Sequence, residues 1–175
     1  MRAAEEFEQE LVDELPSLFR FAMSMTRNRN EAEELVQETL AYALEKRDEF
    51  TSGTNIRAWL FKLQSFLDRN SKRKAYRQKV LSRGQIEDPE TAAVPPSQLD
   101  RIMVGEAEKA IETLPLEQRQ ALFLVAYDGK SYDEAADILE CSAGTVKSRV
   151  SRARQRIADM IHYEHLNGMT KELGR

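Results

Sequence analysis

Lys147, Arg149, Arg152, Arg154 and Arg156 recur through Gly144-Thr145-Val146-Lys147-Ser148-Arg149-Val150-Ser151-Arg152-Ala153-Arg154-Gln155-Arg156, separated by short polar or small residues. A second cationic block runs from residue 53 to 83, where Arg57, Lys62, Arg69, Lys72, Arg73, Lys74, Arg77, Lys79 and Arg83 stand against the lone Asp68. Either block alone could be a solvated helix face. Two of them on a chain with 26 basic and 30 acidic residues fit a polyanion reached at two points, with acidic surface left for a protein partner. Bond-making chemistry finds no comparable pattern. No carboxylate joins a His, Cys or Ser constellation, no Gly-rich phosphate loop is present, and a non-enzyme is expected. His162 and His165 with Glu164 between them have no further ligands nearby, so neither a metal nor another cofactor is expected. Cys141, the one cysteine, rules out an internal disulfide and reads as a small packing residue rather than a redox sensor.

The 175 residues allow one ordinary domain or two small ones, and 41% hydrophobic with 32% charged residues describes a folded, soluble chain. Seven glycines and five prolines are too few for a turn-rich all-β protein, which leaves an all-α class. The start, MRAAEEFEQELVDEL, lacks the features of a secretory leader, and no run of about 18 apolar residues occurs, so a cytoplasmic protein without membrane contact is expected.

Apolar periodicity places the helices. Phe7, Leu11, Leu15, Leu18, Phe19, Ala22 and Met25 recur at helical spacing, with Pro16 expected to split the run or begin a second helix. Asn28 or Asn30 can cap a helix through about Lys46, with Ala32, Leu35, Val36, Thr39, Leu40, Ala43 and Leu44 as its apolar stripe. A third helix is expected from about Ile56, burying Ile56, Trp59, Leu60, Leu63 and Leu67. Residues 84–98, rich in proline, small residues and acids, have the composition of a flexible linker. The expected organisation is a helical domain over 1–83, the linker at 84–98, a second helical domain over 99–165 and a tail at 166–175.

Within the second domain, helices are expected over about Leu99–Thr113 and Leu116–Tyr127. Ser131-Tyr132-Asp133-Glu134 then reads as a capping box after Asp128-Gly129-Lys130. A short helix follows to Glu140-Cys141, and Ser142 caps the next, which makes a helix-turn-helix. At about 100° per residue, Val146, Val150, Ala153 and Ile157 form one buried stripe. Opposite them lie Gly144, Ser148, Ser151, Arg152 and Gln155, with Thr145 and Lys147 at the shoulders and Arg149, Arg154 and Arg156 on the flanks. Short side chains permit close approach to base edges, Lys147 and Arg152 can donate to guanine, and flanking arginines can hold phosphates.

The chain resembles the extracytoplasmic-function (ECF) group of the sigma-70 family of bacterial RNA polymerase initiation factors, over about residues 7–160. Glu31-Ala32-Glu33-Glu34-Leu35-Val36-Gln37-Glu38-Thr39-Leu40 is similar to the family's polymerase-binding helix. Arg57-Ala58-Trp59-Leu60-Phe61 is similar to the start of its promoter-melting helix, and Gly144-Thr145-Val146-Lys147-Ser148-Arg149-Val150 to its −35 recognition helix. The wording around Gly53–Trp59 looks most like the alphaproteobacterial general-stress-response branch.

The resemblance implies that Glu34, Leu35, Gln37, Glu38 and Tyr42 contact core RNA polymerase, through its β′ coiled coil, with the β flap as a second contact. It implies −35 contacts by Thr145, Lys147, Ser148, Arg149, Ser151, Arg152 and Gln155. It further implies that Lys62, Phe66, Arg69, Lys72, Arg73, Lys74, Tyr76 and Arg77 meet the melted −10 strand, cations along the backbone and rings against bases. Trp59 lies in the apolar register and reads as a core anchor. Where many relatives carry an Arg-Asn pair, this chain has Gln64, Ser65 and Phe66, so the base-reading residues stay open. Promoter DNA and an anti-sigma factor are the other implied partners, and the linker acids Glu87, Asp88 and Glu90 are either nucleic-acid mimics or part of a plain tether. The alternative is a sigma-like decoy that binds an anti-sigma factor without initiating transcription; such decoys carry a receiver domain, for which this chain has no room.

Overall fold

A computed structural model describes residues 2–51, 53–83 and 110–172. The expected linker at 84–98 and most of the helix expected from Leu99 lie outside the described residues. Among the described residues every regular element is a helix, as an all-α class requires. Contacts divide the chain into two compact units, one around the first three helices and the other around the helices at Leu116–Leu122 and Ala143–Glu172.

The first helix, α1 (Arg2–Thr26), buries Leu11, Leu18, Phe21, Ala22 and Met25 on one face. It runs through Pro16 without a break, contrary to the split expected from sequence. Pro16 is exposed, and so is Val12 one turn before it, whose carbonyl loses its helical donor and is left to water. An interior proline costs about 3 kcal/mol. Burying each Leu or Phe beyond it returns roughly 1.5–3 kcal/mol, so the packed continuation wins.

Arg27 turns the chain in a left-handed conformation, φ 58°. The Asn28 side chain then accepts from the backbone N–H groups of Asn30 and Glu31 at 2.9 and 3.3 Å, capping α2 (Arg29–Glu45). Ala32, Leu35, Val36, Thr39 and Ala43 face inward, and the buried Thr39 hydroxyl donates to the Leu35 carbonyl at 2.6 Å. Leu44, expected on this stripe, is 45% exposed because the 100° step carries it past the contact face.

A short 3-10 turn (Arg47–Glu49) leads to Asn55, whose side chain accepts from the Ala58 N–H at 3.1 Å at the start of α3 (Ile56–Arg83). Leu60 and Phe61 are fully buried, and the Phe61 ring lies 4.6 Å from that of Phe21 on α1. Arg57 grips Glu14 of α1 through two bonds, Nε to Oε2 at 2.6 Å and Nη2 to Oε1 at 3.2 Å. Trp59 is half-buried, with Phe50 at 5.2 Å and Phe7 at 6.3 Å, so it anchors the base of the bundle as its apolar register implies. Ile56 and Leu63 are only half-buried, whereas the polar Gln64 and Ser65 are wholly enclosed.

In the second unit α4 (Leu116–Leu122) passes into a five-residue π turn, Phe123–Tyr127, closed by the Asp128 N–H on the Phe123 carbonyl at 2.9 Å. Gly129 at φ 70° reverses the chain into α5 (Tyr132–Leu139), and Glu140 at φ 53° makes the turn into α6 (Ala143–Glu172). Helix α6 packs on α4, with Leu114, Ala121, Leu124, Val146, Val150 and Ala153 buried. It continues to Glu172, through Asn167-Gly168.

Leu18→Ala is expected to remove about 2–5 kcal/mol from the first unit by leaving a cavity among α1, α2 and α3. Urea unfolding followed by fluorescence of Trp59, the one tryptophan, checks this, because that residue reports on this unit.

Candidate nucleic-acid interface

The helix-turn-helix is built by reciprocal capping. The Glu134 N–H donates to the Ser131 hydroxyl at 3.2 Å, and the Ser131 N–H donates to Glu134 Oε2 at 2.8 Å, forming the capping box read from sequence. Ser142 caps α6 in the same way, its hydroxyl accepting from the Thr145 N–H at 3.1 Å. Val146, Val150 and Ala153 are then buried at 0%, 1% and 0% exposure, which fixes the rotation of the helix.

That rotation leaves Lys147, Ser151, Arg152, Arg154, Gln155 and Arg156 exposed. Four predicted contacts already have partners within the helix or its turn. The Ser148 hydroxyl donates to the Thr145 carbonyl at 2.9 Å, Gln155 donates to Asp159 at 2.8 Å, and the half-buried Arg149 points Nη1 at Cys141 Sγ, 3.7 Å away. Thr145 shares a hydroxyl contact with Ser142 at 2.8 Å. Lys147, Ser151 and Arg152 are therefore the exposed members of the predicted set that none of these contacts involves, and Arg154 and Arg156 stand exposed beside them.

On α3 the buried side opposes Phe66, which is 38% exposed. Taking Phe66 as zero, Lys62, Arg73 and Arg77 fall within about 40° of it, and all three are exposed. Arg69 is half-buried on the same side. Lys72 donates to the buried Asp68 at 2.8 Å, which ties its charge to the protein. Lys74 is exposed and Tyr76 half-buried at the edges of the stripe. Gln64 and Ser65 turn inward, so of the three residues at the point of departure from the family only Phe66 faces out.

The acidic helix α2 presents Glu34, Gln37 and Glu38 to solvent. Leu35, expected among the contacts, is 7% exposed and belongs to the core; its helical position points it at the bundle. Tyr42 is half-buried, with its ring 6.3 Å from that of Phe66. Between α1 and α2 lies an open groove of about 440 Å³ lined by Leu15, Pro16, Phe19, Val36, Leu40, Glu33 and Gln37. Sequence reasoning missed this groove, which exists because Pro16 and Phe19 are carried outward by the unbroken α1. Among the described residues no helix is long and apolar enough to cross a membrane, and no cluster of three or more His, Cys, Asp or Glu could hold a metal ion.

Residues 105–157 match the model for sigma-70 region 4, and residues 11–65 match that for the sigma2 domain of PhyR. An ECF RNA polymerase sigma factor, EcfG of Rhodopseudomonas palustris, is 37% identical over 94% of this chain and 90% of its own length. The chain belongs to the ECF sigma factors. It is thus an RNA polymerase sigma factor, a group that acts by partnering core polymerase and promoter DNA rather than by catalysis. The sigma factor RpoE of Bartonella quintana, solved in complex with the anti-sigma factor NepR, aligns at a TM-score of 0.72 and 38% identity over 90% of this chain and 98% of that one. The anti-anti-sigma factor PhyR from Bartonella quintana, solved with NepR, shares the fold at a TM-score of 0.57 and 18% identity, over 89% of this chain and 50% of that one.

The backbone N–H of Ser131, and after it the Ser131 hydroxyl, hold the Glu134 carboxyl below the ordinary carboxylate range. A carboxyl with a lowered folded pKa adds stability that is complete above its unfolded pKa and is lost as pH falls through the folded one. Acidification below the ordinary carboxylate range is thus expected to release the start of α5. Glu134→Gln, which keeps a capping amide, should remove that pH dependence; the Ser131 amide resonance followed against pH checks it.

Proposed function

We propose that this sigma factor divides promoter recognition between two surfaces, the α6 edge for the −35 duplex and the α3 stripe for the separated −10 strand. The observation that carries the reading is that the cations at the two sites stand on helices whose rotation is fixed by buried residues, Leu60, Phe61 and Leu67 on α3 and Val146, Val150 and Ala153 on α6. Their directions are set by packing rather than by flexible loops. Residues 1–83 would carry polymerase binding and −10 melting, and residues 99–165 the −35 contact. Core polymerase would lie on the exposed face of α2, with Glu34, Gln37 and Glu38 as polar contacts and the groove beside Gln37 taking an apolar side chain of the β′ coiled coil; the β flap would contact the second unit.

By analogy with the NepR complex of its Bartonella relative, a small anti-sigma protein is the expected restraint on this chain, and a stress response its setting. The match of residues 11–65 to the PhyR domain favours a second reading, a decoy that only titrates such a protein. The outward Lys147 and Arg152 favour the first, because a decoy has no use for a base-reading edge.

Run-off transcription with bacterial core polymerase, this chain and fragments of its source genome tests the reading. Starts that depend on the chain and share two upstream elements are expected; core binding without any start would support the decoy. Lys147→Ala and Arg152→Ala should each lower use of the −35 element by roughly 5- to 100-fold, equivalent to about 1–3 kcal/mol per base contact, while core affinity is unchanged. Gln37→Ala with Glu38→Ala should weaken core binding in a fluorescence titration and leave the promoter preference of the remaining holoenzyme intact.

A further inference from the structure

Asp68 is the one acid among the cations of residues 53–83, and it stands where α3 leaves the core. It is buried, as is Leu67 beside it, whereas residues 70–75 beyond it are all exposed. Lys72, one turn on, bridges the two environments. Its ammonium lies 2.8 Å from each oxygen of the Asp68 carboxylate. The Asp68 side chain is 6% exposed and that of Lys72 49%.

Lys72 lies one step of about 100° around α3 from Arg73, on the flank between the buried side and the outward Lys62, Arg73 and Arg77. From there a flexible four-carbon stem can swing inward to Asp68 or outward to a phosphate, so reach does not decide its partner. Burial does. Among the described residues Lys72 is the one cation paired with Asp68. A strand that drew Lys72 away would leave an enclosed carboxylate without a counter-charge, while the phosphate gained in exchange stands in water and salt that screen it. The pairing with Asp68 wins.

We infer that Asp68 holds Lys72 back from nucleic acid, so that the α3 surface binds a separated strand with one phosphate contact fewer than its cations allow. Asp68 is a positioning residue, acting through Lys72 and touching no DNA. The inference rests on the reading of α3 as the −10 surface, and it withdraws Lys72 from the strand contacts that the resemblance implies. Neutralising the carboxylate frees the ammonium, and strand affinity rises.

The test uses holoenzyme assembled from the full chain and bacterial core polymerase, with core alone as the baseline. The probe is a fluorescent single-stranded oligonucleotide of mixed sequence, about 20 nucleotides long. Affinity is followed against salt, because each phosphate contact to a single strand contributes about 0.7 to the slope of log affinity on log salt. Asp68→Asn should steepen the slope by about 0.7 and tighten binding roughly 5-fold at about 0.1 M salt. Lys72→Gln, which keeps a hydrogen-bond donor for Asp68, should leave the wild-type slope unchanged, and combined with Asp68→Asn it should abolish the gain. Arg73→Ala should flatten the slope by about 0.7 and reports on the surface itself. A flatter slope in Lys72→Gln shows Lys72 already on the strand and overturns the inference, whether or not Asp68→Asn folds. A gain that survives in the double variant is a general effect of the lost negative charge and overturns it as well. So does unchanged or weaker binding by an Asp68→Asn chain that unfolds in urea like the wild type. No effect of Arg73→Ala, or a wild-type holoenzyme no different from core alone, overturns the −10 reading instead.

Discussion

The packing of the first four turns of α3 against α1 and α2 fixes the direction of everything the first unit can offer to DNA. Leu60 and Phe61 are fully buried, Phe61 meets Phe21 at 4.6 Å, and Arg57 is clamped to Glu14 at the helix start. A helix held so along one side cannot rotate. Lys62 within those turns, and Arg73 and Arg77 beyond them, therefore stand on the side away from the core, at a cost in mutual repulsion that water and salt screen. Burial and charge are thus two faces of a single constraint: the cations point outward because the apolar residues a few positions away cannot.

The second unit solves the same problem at smaller scale. Caps at Ser131 and Ser142 define where α5 and α6 begin, and Val146, Val150 and Ala153 define how α6 is turned. With start and rotation set, the short Gly144 and Ser151 beside Lys147 and Arg152 leave room for a groove edge to approach. The arrangement also accounts for an acidic protein that handles DNA. The net charge of −4 hides a split between acidic α1 and α2 and basic α3 and α6.

Where sequence reasoning succeeded, local rules and tertiary packing agreed. The Ser131 capping box, the Ser142 cap, the start of α3 and the Val146-Val150-Ala153 stripe, whose expected continuation Ile157 is half-buried, depend on neighbours three or four residues away, which local patterns capture. It failed where distant packing overrode a local rule. Pro16 predicts a break, yet the helix continues because its lost hydrogen bond faces water and the side chains beyond are buried. Leu35, put on the apolar stripe by periodicity and among the polymerase contacts by resemblance, follows the periodicity and is buried. Gln64 and Ser65, which stand where many relatives carry an Arg-Asn pair, are enclosed, with no hydrogen-bond partner for the Gln64 amide or the Ser65 hydroxyl among the described residues. The Tyr42–Phe66 contact and the α1–α2 groove join residues 24 and about 20 positions apart, a separation at which spacing carries no information.

The central claim is that two helices, α3 and α6, meet two different forms of the same promoter. Photo-crosslinking tests it most directly, with p-benzoylphenylalanine placed at position 73 in one chain and at position 154 in another, each assembled with core polymerase on a promoter mapped by its transcript start. The account predicts that position 73 crosslinks the non-template strand in the downstream element, and only after strand separation. Position 154 should crosslink the upstream element while it is still duplex. Crosslinks from both positions to one element, or a crosslink from position 73 that does not depend on melting, would contradict it.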